Sequence, residues 1–120
     1  MLIKLNIIII ILYSLNLSIF NNVNNMSKMF YYYSSLTSLN LSKFNTNNIN
    51  NMRCMIFWYS SLIFLNLSNF NTNNVKYMSD MFSECSALTS LNLYNFNTNN
   101  VNNIKGMFYY CSSLISLNFI

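Results

Sequence analysis

LTSLNLYNFNTNNVNNIKGMFYYCSS, residues 88–113, decides the fold, because close variants of this stretch fill most of the chain. Aligned on their leading leucines, complete copies cover 12–35, 36–61, 62–87 and 88–113, and a partial copy covers 114–120. The period is 26 residues, and the first copy is shorter because it lacks the TN of the FNTNN element. Self-similarity at this period predicts that each copy is one structural unit stacked on the next.

Each copy divides into a strand, a turn and a helical segment. The LxxLNL element ends in alternating apolar and polar residues, which predicts a short strand with its leucines pointing inward. After a phenylalanine, the NTNN element predicts a turn. Val75, Met78, Met81 and Phe82 then follow at spacings of three or four, which predicts a short helix with one apolar side. Stacking such units predicts an α/β solenoid whose strands form a parallel sheet.

Composition narrows the classes of function. More than half of the 120 residues are apolar and only 7% are charged, which argues against a disordered chain. The six cationic residues are scattered without a basic run, so we expect no nucleic-acid partner. The chain has no histidine, and its two carboxylates are Asp80 and Glu84. We therefore expect no enzymatic activity, no metal site and no cofactor. Lys76 lies four residues before Asp80, so a surface ion pair is expected there.

The three cysteines lack metal-ligand spacing. Cys85 and Cys111 occupy the same position in adjacent copies, so a disulfide is conceivable, but buried free thiols that act as small apolar residues are favoured. Cys54 occupies another position beside Arg53 and is expected to be exposed.

The whole repeat resembles that of BspA-type leucine-rich-repeat surface proteins. The LxxLNL strand, the FNTxNV turn, the MxxMF segment and the CSSL return carry this resemblance over 12–120. It implies a right-handed leucine-rich-repeat coil stack, with the parallel sheet on the concave face and the short helical segments opposite. It also implies a non-enzymatic protein, at the cell surface or secreted, that binds protein or glycan ligands on host or neighbouring cells. In this chain asparagine replaces much of the aspartate of such repeats, and Tyr or Trp follows the MF element.

Residues 1–11 depart from the repeat. They are an eroded first coil or a weak signal-like start, because an apolar run follows Lys4 but no small-residue cleavage site is evident. The run is too short to predict a transmembrane span. An intracellular location is the alternative if these residues direct no export.

Outward-pointing strand positions form the first candidate site, a polar binding face. The alternative is an amide ladder in which the asparagine side chains bond one another along the sheet. The residues are Ser38, Asn40, Lys43, Phe64, Asn66, Asn69, Asn92, Tyr94 and Asn95.

A second candidate site is an aromatic flank that follows the MF element, since Trp and Tyr are favoured at interfaces. These rings could equally cover the side of the stack. The residues are Tyr31, Tyr32, Phe57, Trp58, Tyr109 and Tyr110.

Two functions from different classes remain open. The first is a recognition or adhesion module that acts through the repeat face. The second is a fragment or eroded member of a longer repeat array, with a structural or scaffold role and no ligand of its own. Because no capping repeat is evident, self-association through uncapped ends is also expected to be possible.

Overall fold

The computed structural model describes residues 23–32 and 34–118. The segment predicted at 1–11 and the strand of the first copy lie outside these residues.

Parallel strand pairs join equivalent residues of successive copies. The described residues form four strands, β1 (Ser38–Asn40), β2 (Phe64–Asn66), β3 (Ser90–Asn92) and β4 (Ser116–Asn118). β1 pairs with β2 and places Leu39 opposite Leu65, while β3 pairs with β4 and places Leu91 opposite Leu117. β2 and β3 are neighbours but are not hydrogen-bonded, so the strands form two separate sheets.

The segments predicted as short helices are instead successive turns in the described part of the chain. Alternate N–H groups donate to the next copy: Met52 to the carbonyl of Tyr77, Cys54 to that of Ser79, both within 3.0 Å. The N–H groups between them close turns within the copy, as Met55 does onto the Met52 carbonyl. A helix would require every N–H to bond four residues back along its own chain. Half of these N–H groups donate to the neighbouring copy instead, which explains why turns form in place of the predicted helices.

Two positions of each turn segment have left-handed backbone. The first has φ between 53° and 70° at Lys28, Cys54, Asp80 and Gly106, and the second has φ between 56° and 66° at Tyr32, Trp58, Glu84 and Tyr110. A left-handed residue interrupts a right-handed helix, so these positions also prevent the turn segments from forming a continuous helix.

A second parallel contact line runs along the turn side. Bridges connect Asn25 to Asn51, Asn51 to Tyr77 and Tyr77 to Asn103 without a break. The copies therefore remain joined on this side where β2 and β3 are not paired.

The FNTNN elements also tie the copies together. The buried Thr72 hydroxyl accepts the Asn97 N–H at 2.8 Å and donates to the Asn97 carbonyl at 3.0 Å, and Thr46 does the same with Asn71. Side-chain amides bond directly between copies from Asn71 to Asn47 and from Asn97 to Asn73. These amides are thus part of the fold.

One continuous core runs between the strands and the turns. It contains the leucines of β1 to β3, the phenylalanines that follow them and the methionines of the turn segments. The equivalent positions of the fourth copy's turn segment and of β4 are open: Ile104 is 46% exposed, against 0% for Met78, and Leu117 is 41% exposed, against 3% for Leu91. This end of the stack therefore presents apolar side chains that neighbouring copies cover elsewhere.

Candidate functional site

A cleft of about 400 Å³ lies where the sheet divides between β2 and β3. Its most exposed rings are Phe64, on β2, and Tyr94, which follows β3; they are 54% and 59% exposed. No side chain of the lining is charged. The lining residues are Phe64, Leu65, Asn66, Leu67, Ser68, Asn92, Tyr94, Asn95, Phe96 and Asn118.

Unpaired main-chain groups accompany the break in the sheet. The Leu41 N–H donates to Asn66 at 2.9 Å, and the Leu93 N–H donates to Asn118 at 2.8 Å, which closes each strand pair. The corresponding bond from Leu67 to the Asn92 carbonyl is absent. The Leu67 N–H and the Asn92 carbonyl beside the cleft therefore lack the partner that the equivalent groups of the other strand pairs have.

The strand asparagines do not form an amide ladder. The Asn66 side-chain oxygen accepts the Ser68 N–H at 2.9 Å, and the Asn92 oxygen accepts the Tyr94 N–H at 3.0 Å; Asn40 makes the same local turn with Ser42. Among the described residues, no protein acceptor binds the NH₂ groups of Asn66 and Asn92. These two amides stay available as donors at the cleft.

The structure brings part of the predicted binding face together. Phe64, Asn66, Asn92, Tyr94 and Asn95 line the cleft, and Asn95 also donates to the Ser68 carbonyl at 2.6 Å. The rest of the predicted face is outside the lining: Ser38, Asn40, Lys43 and Asn69.

Asn69 donates to the Ser42 carbonyl at 2.7 Å, so its amide joins two copies. Asn118 and Ser68 line the cleft as well. Their positions in the repeat match those of Asn92 and Tyr94 in the adjacent copies, and this shared position already predicts that they face outward.

The predicted aromatic flank forms two groups. In the first, Tyr31 stacks on Phe57 with ring centres 5.1 Å apart, and Tyr32 meets Trp58 edge to face at 4.8 Å. In the second, Tyr109 and Tyr110 lie 4.3 Å apart. Ser83 and Glu84 occupy the third copy between the two groups. The flank is therefore an interrupted aromatic surface.

Buried thiols belong to the core in the described structure. The Cys85 thiol donates to the Ile56 carbonyl at 3.2 Å, and burial raises its pKa to about 12. Cys111 donates to the Phe82 carbonyl at 3.1 Å and is also a free thiol, with its pKa raised by burial. The expected exposure of Cys54 is wrong: it is 7% exposed. Burial and then the Asp80 charge raise the pKa of Cys54, while the positive charge of Arg53 lowers it.

A second hollow of about 500 Å³ lies on the turn side. Arg53, Lys105 and Asp80 place charges of both signs in it, and Gly106 and Tyr109 complete part of its wall. The ion pair expected between Lys76 and Asp80 is not formed within the described residues. Asp80 instead lies over Gly106.

Neither metal-binding clusters nor membrane-spanning helices occur in 23–32 and 34–118. Those residues contain no group of three or more potential His, Cys, Asp or Glu ligands. They also contain no helix with the length and apolar character needed to cross a bilayer.

Comparison with known proteins identifies a family. The model of a family described as "Mycoplasma protein of unknown function, DUF285" matches residues 24–118. No curated protein and no solved structure matches the chain. Because the matched residues span the stacked copies, the chain belongs to the DUF285 family.

Proposed function

We propose that this chain is a non-enzymatic recognition or adhesion module of a BspA-like leucine-rich-repeat surface protein. Its copies would form a right-handed solenoid with the paired strands on the concave face. The parallel pairing of equivalent residues on both the strand side and the turn side supports this arrangement. The DUF285 match supports membership in a surface-protein family.

The cleft between β2 and β3 carries this proposal. It combines two exposed aromatic rings with the available NH₂ groups of Asn66 and Asn92. Rings supply a large contact area at a low cost in conformational entropy, and amides supply directional hydrogen bonds. Because the lining has no charge, we propose that its ligand is an uncharged segment of a protein or a neutral glycan.

Binding to immobilised proteins and neutral glycans tests the cleft. The Phe64→Ala and Tyr94→Ala variants should each weaken binding about tenfold or more, since exposed aromatic anchors dominate such contacts. Tyr77→Ala is a matched control, because Tyr77 is 44% exposed but does not line the cleft. Equal binding by all these variants would refute a role for the cleft. Surface protease treatment of intact cells tests the location, and complete protection of the chain would contradict surface display.

A structural role is the second candidate function, and the open apolar end formed by the fourth copy and β4 favours it. Ile104 and Leu117 expose apolar side chains that equivalent residues bury. The N–H groups of Ile104, Gly106 and Phe108 make no backbone hydrogen bond within the described residues, whereas equivalent groups such as Met78 donate to the next copy. We propose that this face accepts a further repeat, including one from a second copy of the chain.

Sedimentation analysis tests this stacking. The average mass of the wild-type chain should rise with concentration, and Ile104→Asp should suppress the rise by placing a charge on the apolar face. Ile115→Asp is the control, since Ile115 is already 89% exposed. If the mass is independent of concentration, association of chains through this face does not occur.

A further inference from the structure

The aromatic flank is interrupted in the third copy, where Glu84 stands between the rings of the second and fourth copies. We call this gap the slot. The repeat places aromatic pairs at Phe57 and Trp58 and at Tyr109 and Tyr110, but Ser83 and Glu84 occupy the copy between them. Ser83 is 3% exposed, so neighbouring groups cover its position, whereas Glu84 is partly exposed. The slot is therefore the position of Glu84, with Trp58 in the preceding copy and Tyr110 in the following copy.

Backbone hydrogen bonds hold the three copies in register here. The Trp58 N–H donates to the Ser83 carbonyl at 2.9 Å, and the Glu84 N–H donates to the Tyr109 carbonyl at 2.8 Å. Trp58, Glu84 and Tyr110 share a left-handed backbone with φ of 65°, 66° and 56°. Their side chains thus leave the backbone in similar directions, from successive copies spaced about 4.8 Å apart.

The electrostatics of the slot favour a cation. Glu84 makes no ion pair within 23–32 and 34–118. A side-chain hydrogen bond with Tyr109 raises the pKa of Tyr110, and the negative charge of Glu84 adds a smaller contribution in the same direction. Trp58 and Tyr110 are 44% and 59% exposed, so a ligand can reach both rings.

We propose that this slot binds an arginine side chain of a partner protein. A guanidinium group is planar, stacks on aromatic faces and forms paired hydrogen bonds with a carboxylate. Trp58 and Tyr110 supply the faces, and Glu84 supplies the carboxylate. The chain already shows this kind of contact nearby, because the Lys28 ammonium lies 5.9 Å from the centre of the Tyr31 ring. The inference does not depend on the cleft between β2 and β3, whose lining is uncharged.

Trp58 provides a direct measurement, because it is the single tryptophan of the chain. The full chain is titrated with the blocked peptide acetyl-Gly-Arg-Gly-amide while Trp58 fluorescence is followed. The control peptide carries citrulline, which has nearly the shape of arginine but no charge. Glu84→Gln removes the carboxylate charge at constant size, and Asp80→Asn makes a matched change at the other carboxylate outside the slot.

We expect a saturable change with the arginine peptide. The citrulline peptide, and the arginine peptide with Glu84→Gln, should bind about fivefold to tenfold more weakly. Asp80→Asn should bind like wild type. The proposal is overturned by a response that does not saturate, by equal responses to the two peptides, or by unchanged affinity in a folded Glu84→Gln variant. The peptide comparison needs no variant and so decides the question even if Glu84→Gln fails to fold. Phe64→Ala should leave this response unchanged while it weakens cleft binding, which separates the two sites.

Discussion

Left-handed residues shape each turn segment at the residue scale. Only the fourth copy uses glycine at the first of these positions, while Lys28, Cys54 and Asp80 adopt the same conformation with side chains. A non-glycine residue in this region costs on the order of 1–2 kcal/mol. Burial in the stack and the hydrogen bonds to the next copy offset that cost. Gly106 has a further role, because the Asp80 carboxylate occupies the space that a Cβ atom would need.

Gly106→Ala should therefore destabilise the chain by about 1–3 kcal/mol, from both the left-handed backbone and the contact with Asp80. Chemical denaturation measures the change in the free energy of unfolding. Asp80→Ala in the same chain should remove part of the penalty, since it removes the obstructing carboxylate. A purely additive double-mutant cycle would show that the two residues do not interact.

The Cys85 thiol makes the stability of the folded chain decrease at alkaline pH. Its pKa is about 12 in the folded chain, against an ordinary value of 9.0, so the folded state holds the proton more tightly. The stabilisation is complete below pH 9.0 and is lost as the pH rises towards 12. The loss should be about 1.4 kcal/mol per pH unit in that window. Chemical denaturation below and above pH 9.0 should show that the free energy of unfolding declines less steeply with pH for Cys85→Ala than for the wild type. Identical slopes for the two proteins would contradict this assignment.

The FNTNN turn is the element that links neighbouring copies through polar groups. Thr72 is 1% exposed and satisfies both the N–H and the carbonyl of Asn97. Asn71 bonds to Asn47 through its amide, and Asn74 donates to the Asn47 carbonyl at 2.8 Å. An element that resembles a loop by composition thus has the regularity of secondary structure.

Thr72→Val keeps the shape of the side chain but leaves the partly buried Asn97 N–H without its acceptor. We expect a loss of about 1–3 kcal/mol in the free energy of unfolding. Thr98→Val is the matched control: Thr98 holds the same repeat position, but its hydroxyl makes no hydrogen bond to another copy among the described residues. The control should change stability by less than about 0.5 kcal/mol. Equal effects at the two positions would mean that the hydroxyl bonds contribute little.

For the whole molecule, burial depends on whether a neighbouring copy covers each position. Met78 is inaccessible to solvent and Ile104 is nearly half exposed, although both occupy the same place in the repeat. Stability in such a stack comes from the interfaces between neighbouring copies. The same substitution at equivalent positions is therefore expected to change the free energy of unfolding by different amounts in different copies.

Leu91→Ala and Leu117→Ala compare the same change in two copies. Leu91 is 3% exposed, so its truncation should cost about 2–5 kcal/mol through lost burial and a cavity. Leu117 is 41% exposed, and we expect a loss of about 1 kcal/mol or less. Urea denaturation of both variants provides the measurement. A large loss at Leu117 would indicate that another chain covers that face in solution.

Much of the local arrangement follows from the repeat itself. The alternation in LxxLNL predicts the inward leucines, and the structure buries Leu39, Leu65 and Leu91. Phe64 and Tyr94 each occupy a repeat position at which other copies carry serine, and this difference marks both as distinctive surface residues. The helices were predicted from apolar spacing alone, and this spacing does not distinguish a helix from turns that place the same residues inward.

The sequence by itself determined the period, the residues that face the core and the scarcity of charge, because these depend only on the order and type of side chains. Only the tertiary structure decided that β2 and β3 are unpaired, that alternate N–H groups bond to the next copy, and that the aromatic flank forms two groups of contacting rings. These features depend on hydrogen bonds and spacings between residues about 25 positions apart. The physical reason is that identical local patterns can pair with a neighbouring copy in more than one way, and only packing selects among them.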